Sequence, residues 1–343
     1  MRPGRSRWLR AILPGILSGI LPGILLAGLP AADLAAEIRV ERSVDLGLQV
    51  STLPEAKLSA SLHYLFPLLR DTGPLAGSPL TADNNLNATI RGEISPVSLN
   101  GAFEAVFTPI AFFQLAGGFK LGSGWNITLG DQDIYGLGLN RPKITRRAEA
   151  LARPMEERTS EIKGYPLDGI VGKAHLGGAF QFDLAAIYPG DWHHLVFRTY
   201  HEVHYQGYTK ATHGESWIFE AASDENRNGF NYYGNYLLGY RMPLVLNTLG
   251  FLAEMDRYLY NNPQGGYWGD GLGRWIFSLL FNFTLTGNLE AALIVQTRTM
   301  RNYRDGDRSN SSRYYYQYRE LDTDDPVRLD FYRVAAVFTY KLK

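Results

Sequence analysis

The stretch RWIFSLLFNFTL, Arg274 to Leu285, decides the fold. Trp275, Phe277, Leu279, Phe281, Phe283 and Leu285 recur at every second position, while Arg274, Ser278, Asn282 and Thr284 hold the other parity. Successive side chains of a β-strand point to opposite faces, so the segment has one oily face and one mixed face. A helix would need its apolar residues at i, i+3 and i+4. The rhythm continues after Thr286-Gly287-Asn288 in Leu289, Ala291, Leu293 and Val295. Upstream it runs through Phe180, Phe182, Leu184, Ala186 and Tyr188, and through Phe230, Tyr232, Tyr236, Leu238, Tyr240 and Met242. Near the C-terminus it gives Tyr332, Val334, Ala336, Phe338, Tyr340 and Leu342 against Phe331, Arg333, Thr339 and Lys341.

Strands of a soluble sandwich average about 5–6 residues, with the apolar face as the core. The longer runs here suit strands tilted across a bilayer, which need about 9–11 residues plus overhang. The parity opposite the oily face carries charge in mid-strand: Arg91, Glu93, Glu104, Asp183, Arg198, Glu202, Glu254, Asp256, Arg298 and Arg333. These ten are the candidate lumen-lining residues. Tyr188 and Trp192, Tyr258 and Tyr260, Tyr267 and Trp268, and Tyr314 to Tyr316 stand near run ends, where an interfacial girdle places amphipathic rings.

The pattern therefore predicts an all-β, antiparallel, up-and-down transmembrane barrel. Twelve strands are expected, at 38–51, 56–67, 86–95, 98–107, 110–121, 172–188, 193–206, 229–242, 247–260, 273–285, 288–302 and 327–342, with ten or fourteen as alternatives. Short turns at 286–288, 243–246, 189–192 and 108–109 alternate with long links at 303–326, 261–272, 207–228 and 122–171. That alternation puts both ends of the barrel on the periplasmic rim. The link 69–85 is long yet falls on the short-turn rim.

Composition narrows the class further. The 343 residues carry 34 Lys+Arg against 34 Asp+Glu and no basic block, which argues against an electrostatic nucleic-acid binder. The absence of Cys excludes a disulfide framework, a thiolate metal site and a cysteine nucleophile. Residues 1–36 read as a secretory signal: Arg2, Arg5, Arg7 and Arg10, then an uncharged run from Ala11 to Leu29, then the small residues of AADLAA. Cleavage is expected after Ala36, leaving 37–343 as the barrel. Pro14, Pro22, Gly15 and Gly23 make that segment a poor permanent span.

At fifty residues, 122–171 is too long for a simple connection. It carries Arg141, Lys143, Arg146 and Arg147, and Arg146–Ile162 has helix-forming composition interrupted at Arg153-Pro154. One reading folds it into the lumen, with those four cations as a constriction meeting wall carboxylates. The other leaves it as a surface loop with a short helix.

Catalytic and metal patterns are sparse. His193 and His201, or His194 and His204, share a strand face at separations over about 25 Å, and His201 and His204 point to opposite faces. No metal site and no cofactor is expected. His213-Gly214-Glu215-Ser216 gathers the residue types of a hydrolase within four positions, but neighbours on one segment do not meet as a triad.

The chain as a whole resembles bacterial outer-membrane β-barrel proteins. The run GEISPVSLNGAFEAVFTPIAFFQLAGGFKLGSGWNI, Gly92 to Ile127, resembles barrels of a spirochaete type and implies no assigned chemistry. Outer-membrane barrels use an alternating last strand ending in Phe as an insertion signal. Tyr340 and Leu342 match the alternation, and Lys343 departs from the ending. The resulting expectation is a non-enzymatic, porin-like outer-membrane channel, in contact with membrane lipid and passing small solutes through a mixed-charge lumen. A closed barrel that binds a surface partner or anchors the envelope, with the Tyr/Arg/Asp-rich loop 303–326 as its supporting feature, is the alternative. A lipid hydrolase acting through Ser216 is the third.

Overall fold

The computed structural model describes residues 40–52, 55–68, 84–130, 132–154, 157–220, 226–260, 269–304 and 318–342. Residues 1–36, read from sequence as a secretory signal, lie outside them. Five strands open the chain: β1 (Glu41–Ser51), β2 (Glu55–Pro67), β3 (Asn85–Ile94), β4 (Ser98–Ile110) and β5 (Phe113–Gly124). An excursion follows, with β6 (Ile127–Leu129), β7 (Gln132–Ile134), β8 (Leu137–Pro142), helix α1 (Arg147–Leu151) and β9 (Ser160–Lys163). Next come β10 (Val171–Asp183) and β11 (His194–Tyr208), then the short strands β12 (Ser216–Phe219) and β13 (Asn226–Arg227). The chain finishes with β14 (Gly229–Arg241), β15 (Leu246–Tyr258), β16 (Arg274–Thr284), β17 (Leu289–Arg301) and β18 (Val327–Leu342).

Twelve of these strands, β1–β5, β10, β11 and β14–β18, close into one antiparallel barrel. The seam is β1 against β18, from Val44 opposite Leu342 to Ser51 opposite Ala335. Closure fixes the count at twelve and leaves no edge strand. The start of β1, the end of β18 and the turns 111–112, 242–245 and 285–288 share one rim, called here the terminal rim. The excursion 125–170 and the link 209–228 rise from the other, the loop rim. Pro67 pairs directly with Asn85, so the long link between β2 and β3 leaves the strand count intact.

Adjacent cross-strand rows show what the period of two does. Phe182, Phe197, Leu238, Phe251, Leu279, Val295 and Val334 lie opposite one another across seven strands, all facing outward. In the next row, one residue away, stand Gln181, Arg198, Leu237, Leu252, Ser278, Gln296 and Arg333, facing inward. Leu238 and Leu279 remain 52% and 47% exposed at mid-strand, whereas Ser278 is 1% exposed. A barrel with its oil outside and its charge inside has hydrocarbon as its outer solvent, and ladder closure satisfies every backbone group that crosses it.

Three expectations need correction. The alternation in β18 is interrupted by a bulge opposite Gln296 and Thr297, which face Arg333 and Phe331 and leave Tyr332 between them. The extra residue resets the parity. Phe331 is therefore outside, 63% exposed, and Tyr332 faces inward beneath the Arg298 guanidinium, 4.3 Å from its ring centroid. Second, β10 ends at Asp183 because its carboxylate accepts the Ala185 N–H (3.0 Å) and starts a 3-10 turn, Leu184–Ala186, where the strand was expected to run to 188. Third, helix occupies only Arg147–Leu151 of 146–162. Pro154 lacks the N–H that continuation needs, and Ser160–Lys163 pairs instead with β8.

Candidate functional site: the lumen wall and its outer mouth

The interior is a network of charged and phenolic groups, because each strand turns its polar parity inward. Glu202, 4% exposed, has four partners there. It accepts from Tyr200 Oη (2.8 Å) and lies 3.2 Å from Lys173 Nζ, 3.0 Å from His204 Nδ1 and 3.6 Å from His175 Nδ1. His175 and His204 face each other across the β10–β11 ladder. Among the described residues no cluster has the ligand set for a metal ion, and Lys173 supplies the cation here. Further round the wall Tyr233 donates to Glu254 (2.5 Å), and Arg274 grips Asp256 with two hydrogen bonds of 2.9 and 2.5 Å.

The other singled-out residues lie in the same wall. Asp183 meets His194 Nδ1 at 2.7 Å near the terminal rim, and the Arg198 guanidinium stacks over Tyr200 at 5.5 Å. Glu104 is half-buried on β4. Arg333 donates to Gln296 Oε1 (2.7 Å) and pairs with Glu55. Arg91 donates to Ser61 (2.9 Å) and lies 3.8 Å from Glu93.

At the loop rim β8, β9, β12 and β13 form a separate four-stranded sheet that stitches the two long links together. Leu137, Leu139, Val171, Tyr208 and Trp217 make its core, with Phe219 packed on the edge. Lys143 and Arg146 are exposed, Arg147 opens α1, and Arg141 pairs with Glu215 of the neighbouring link. The group that this sheet lowers against the wall is a carboxylate, Glu220, directly after β12.

Glu220 Oε1 accepts from Ser98 Oγ (2.9 Å) and Asn100 Nδ2 (2.5 Å), while Oε2 lies 3.3 Å from Lys57 Nζ and 3.9 Å from Lys120 Nζ. Its backbone N–H donates to Gly136 O (2.9 Å), and its φ of 57° is left-handed, which costs a residue with a Cβ about 1–2 kcal/mol. Burial alone would raise its pKa. Lys120 and Lys57, with the two hydrogen bonds, outweigh that and hold the carboxyl below its ordinary range, so it stays ionised.

Gly122 makes room for this seat. A Cβ there would overlap Asn100 Oδ1 and stand 2.8 Å from Phe219 Cζ. Gly122→Val should therefore cost about 1–3 kcal/mol in the outer mouth and free the 209–228 link. Limited trypsin digestion at Lys210 reads this out, and a cleavage rate equal to wild type would contradict the packing described.

Ser216 is fully buried and its hydroxyl donates to Asn140 O (3.2 Å), while Glu215 is tied to Arg141 and Thr212. The hydrolase trio is not assembled on this segment. Sequence reading missed Lys57, Lys120, Lys173, His175 and Glu220. The first four sit on inward parities that a strict count by twos would have included. Glu220 carries no periodic signal, since its partners are 100 to 163 positions away.

No family model and no curated protein matches the chain, so the likeness of Gly92–Ile127 to spirochaete-type barrels gains no support from them. Among solved structures it is similar to the KdgM porin, at 10% identity over 88% of this chain and 99% of that one, with a TM-score of 0.35. The NanC porin gives 6% identity, 88% and 100% coverage and a TM-score of 0.37. The β domain of the Bordetella autotransporter BrkA gives 10%, 88% and 98%, and 0.36. Likenesses this distant leave the function to be read from the chain's own residues.

Proposed function

We propose that the chain is a bacterial outer-membrane channel of porin type, through which small solutes diffuse passively along a wall of mixed charge. The observation that carries this reading is an interior cavity of about 450 Å³ in the terminal half of the barrel. Inward groups of β11 and β14–β18 line it, among them His194, Arg241, Asn282, Glu290 and Gln296, with an aliphatic floor of Leu252, Leu280 and Ile294. A twelve-strand barrel is wider than the eight-strand barrel that side chains can just fill, which favours a water-holding interior. In this reading the terminal rim faces the periplasm and the long links of the loop rim face outward. The exterior rows contact lipid, and the ten charged residues named from sequence line the solute path.

Planar-bilayer recording on the purified, folded chain tests the proposal. Stepwise conductance is expected, with ion selectivity that responds to substitution of inward charges. Folded protein that inserts and passes no current at any applied voltage would rule the channel out.

A further inference from the structure

The outer mouth holds a donor set with a defined preference. Lys57 on β2 and Lys120 on β5 converge on one carboxylate oxygen of Glu220, and Ser98 and Asn100 on β4 converge on the other. Two ammonium groups and two neutral donors around two oxygens make a complete carboxylate receptor. The ligand that fills it comes from a loop rather than from the wall.

Charge along this wall points the same way. Arg333, Glu55 and Lys57 form one chain of contacts, and Lys120, Glu93 and Arg91 another. Glu220 bridges the two. Without it, four cations face two carboxylates, and the surplus sits at Lys57 and Lys120. Side-chain exposures of 17% for Lys57 and 14% for Lys120 make that surplus costly unless another anion takes the place. Glu220 also sits in a left-handed conformation, so its seat is held against local backbone preference.

We propose that Lys57, Ser98, Asn100 and Lys120 form a binding subsite for the carboxylate of a small anionic solute, and that Glu220 is its built-in occupant, which the solute displaces. The inference rests on the channel reading for its physiological use, but the subsite is testable without current. A tethered carboxylate competes at millimolar or higher effective concentration, so wild type binds a free monocarboxylate weakly and relieving the tether strengthens binding.

The probe is glucuronate, with glucose as the uncharged ring of similar size, titrated calorimetrically into the full chain in nanodiscs and tested on the same protein in planar bilayers. Glu220→Gln keeps the side-chain shape while removing the competing charge, and should bind glucuronate about tenfold more tightly than wild type. Phe219→Ala loosens the loop without touching the receptor and should shift binding in the same direction. Lys57→Met with Lys120→Met should abolish it, and glucose should bind none of them. In bilayers under a salt gradient, Glu220→Gln should move the reversal potential toward that of chloride. Equal glucuronate affinity in wild type, Glu220→Gln and Phe219→Ala, or equal binding of glucose, overturns the subsite even where current flows. Charge-dependent binding without current upholds the subsite and removes the channel.

Discussion

In Asp270→Ala, backbone hydrogen exchange in β12 and β13 is expected to accelerate by about a hundredfold or more, because breaking a buried ion pair from one side costs about 3–5 kcal/mol. Arg227 and Asp270, both side chains no more than 2% exposed, meet at 3.2 Å. The guanidinium also donates to Tyr260 O (2.6 Å) and lies 4.1 Å from the Tyr258 ring centroid. Removing the carboxylate strands a cation where water does not reach. The strand that carries Arg227 is paired with β12, whose end delivers Glu220, so the loss is felt at the mouth. The barrel ladders themselves should keep wild-type protection. Arg227→Met combined with Asp270→Leu should recover much of the loss, since an apolar pair leaves no orphaned charge. Unchanged exchange in β12 and β13 of Asp270→Ala would falsify the anchoring role.

Leu279→Arg should destabilise the folded chain in lipid by about 2–4 kcal/mol, while Leu285→Arg should cost about 0–1 kcal/mol. Both leucines are 47% exposed, so a water-soluble globule would treat them alike. Their difference is depth: Leu279 lies at the middle of β16, and Leu285 just past its end at the terminal rim. Denaturant titration in vesicles, followed by tryptophan fluorescence, separates the two cases. Equal costs at the two positions would mean that the outer face is not graded by a bilayer.

The architecture was legible because the period of two is a backbone property, repeated by every strand and independent of what lies across the ladder. It failed at Tyr332, where one inserted residue resets the parity without changing the composition of the run. It failed again at Asp183, where a side chain intercepts the backbone and ends the strand early. The site was less legible for a related reason. Alternation gives a side chain its face but not its partner, so His175 and His204, twenty-nine positions apart, become neighbours only once the register is known. Glu220 lies beyond any periodic segment, and only the lateral strand pairings bring β2, β4 and β5 together around it.

The seam between β1 and β18 sets Val44 beside Leu342 on the same rim as the turn 285–288. Joining the start of β1 to the end of β18 with a short linker and opening the chain at 285–288 would yield a circular permutant that keeps the order of strand pairings around the barrel. The order in which strands leave the ribosome is thereby separable from the shape they reach. Such a permutant would show whether assembly depends on which hairpin is the last to arrive.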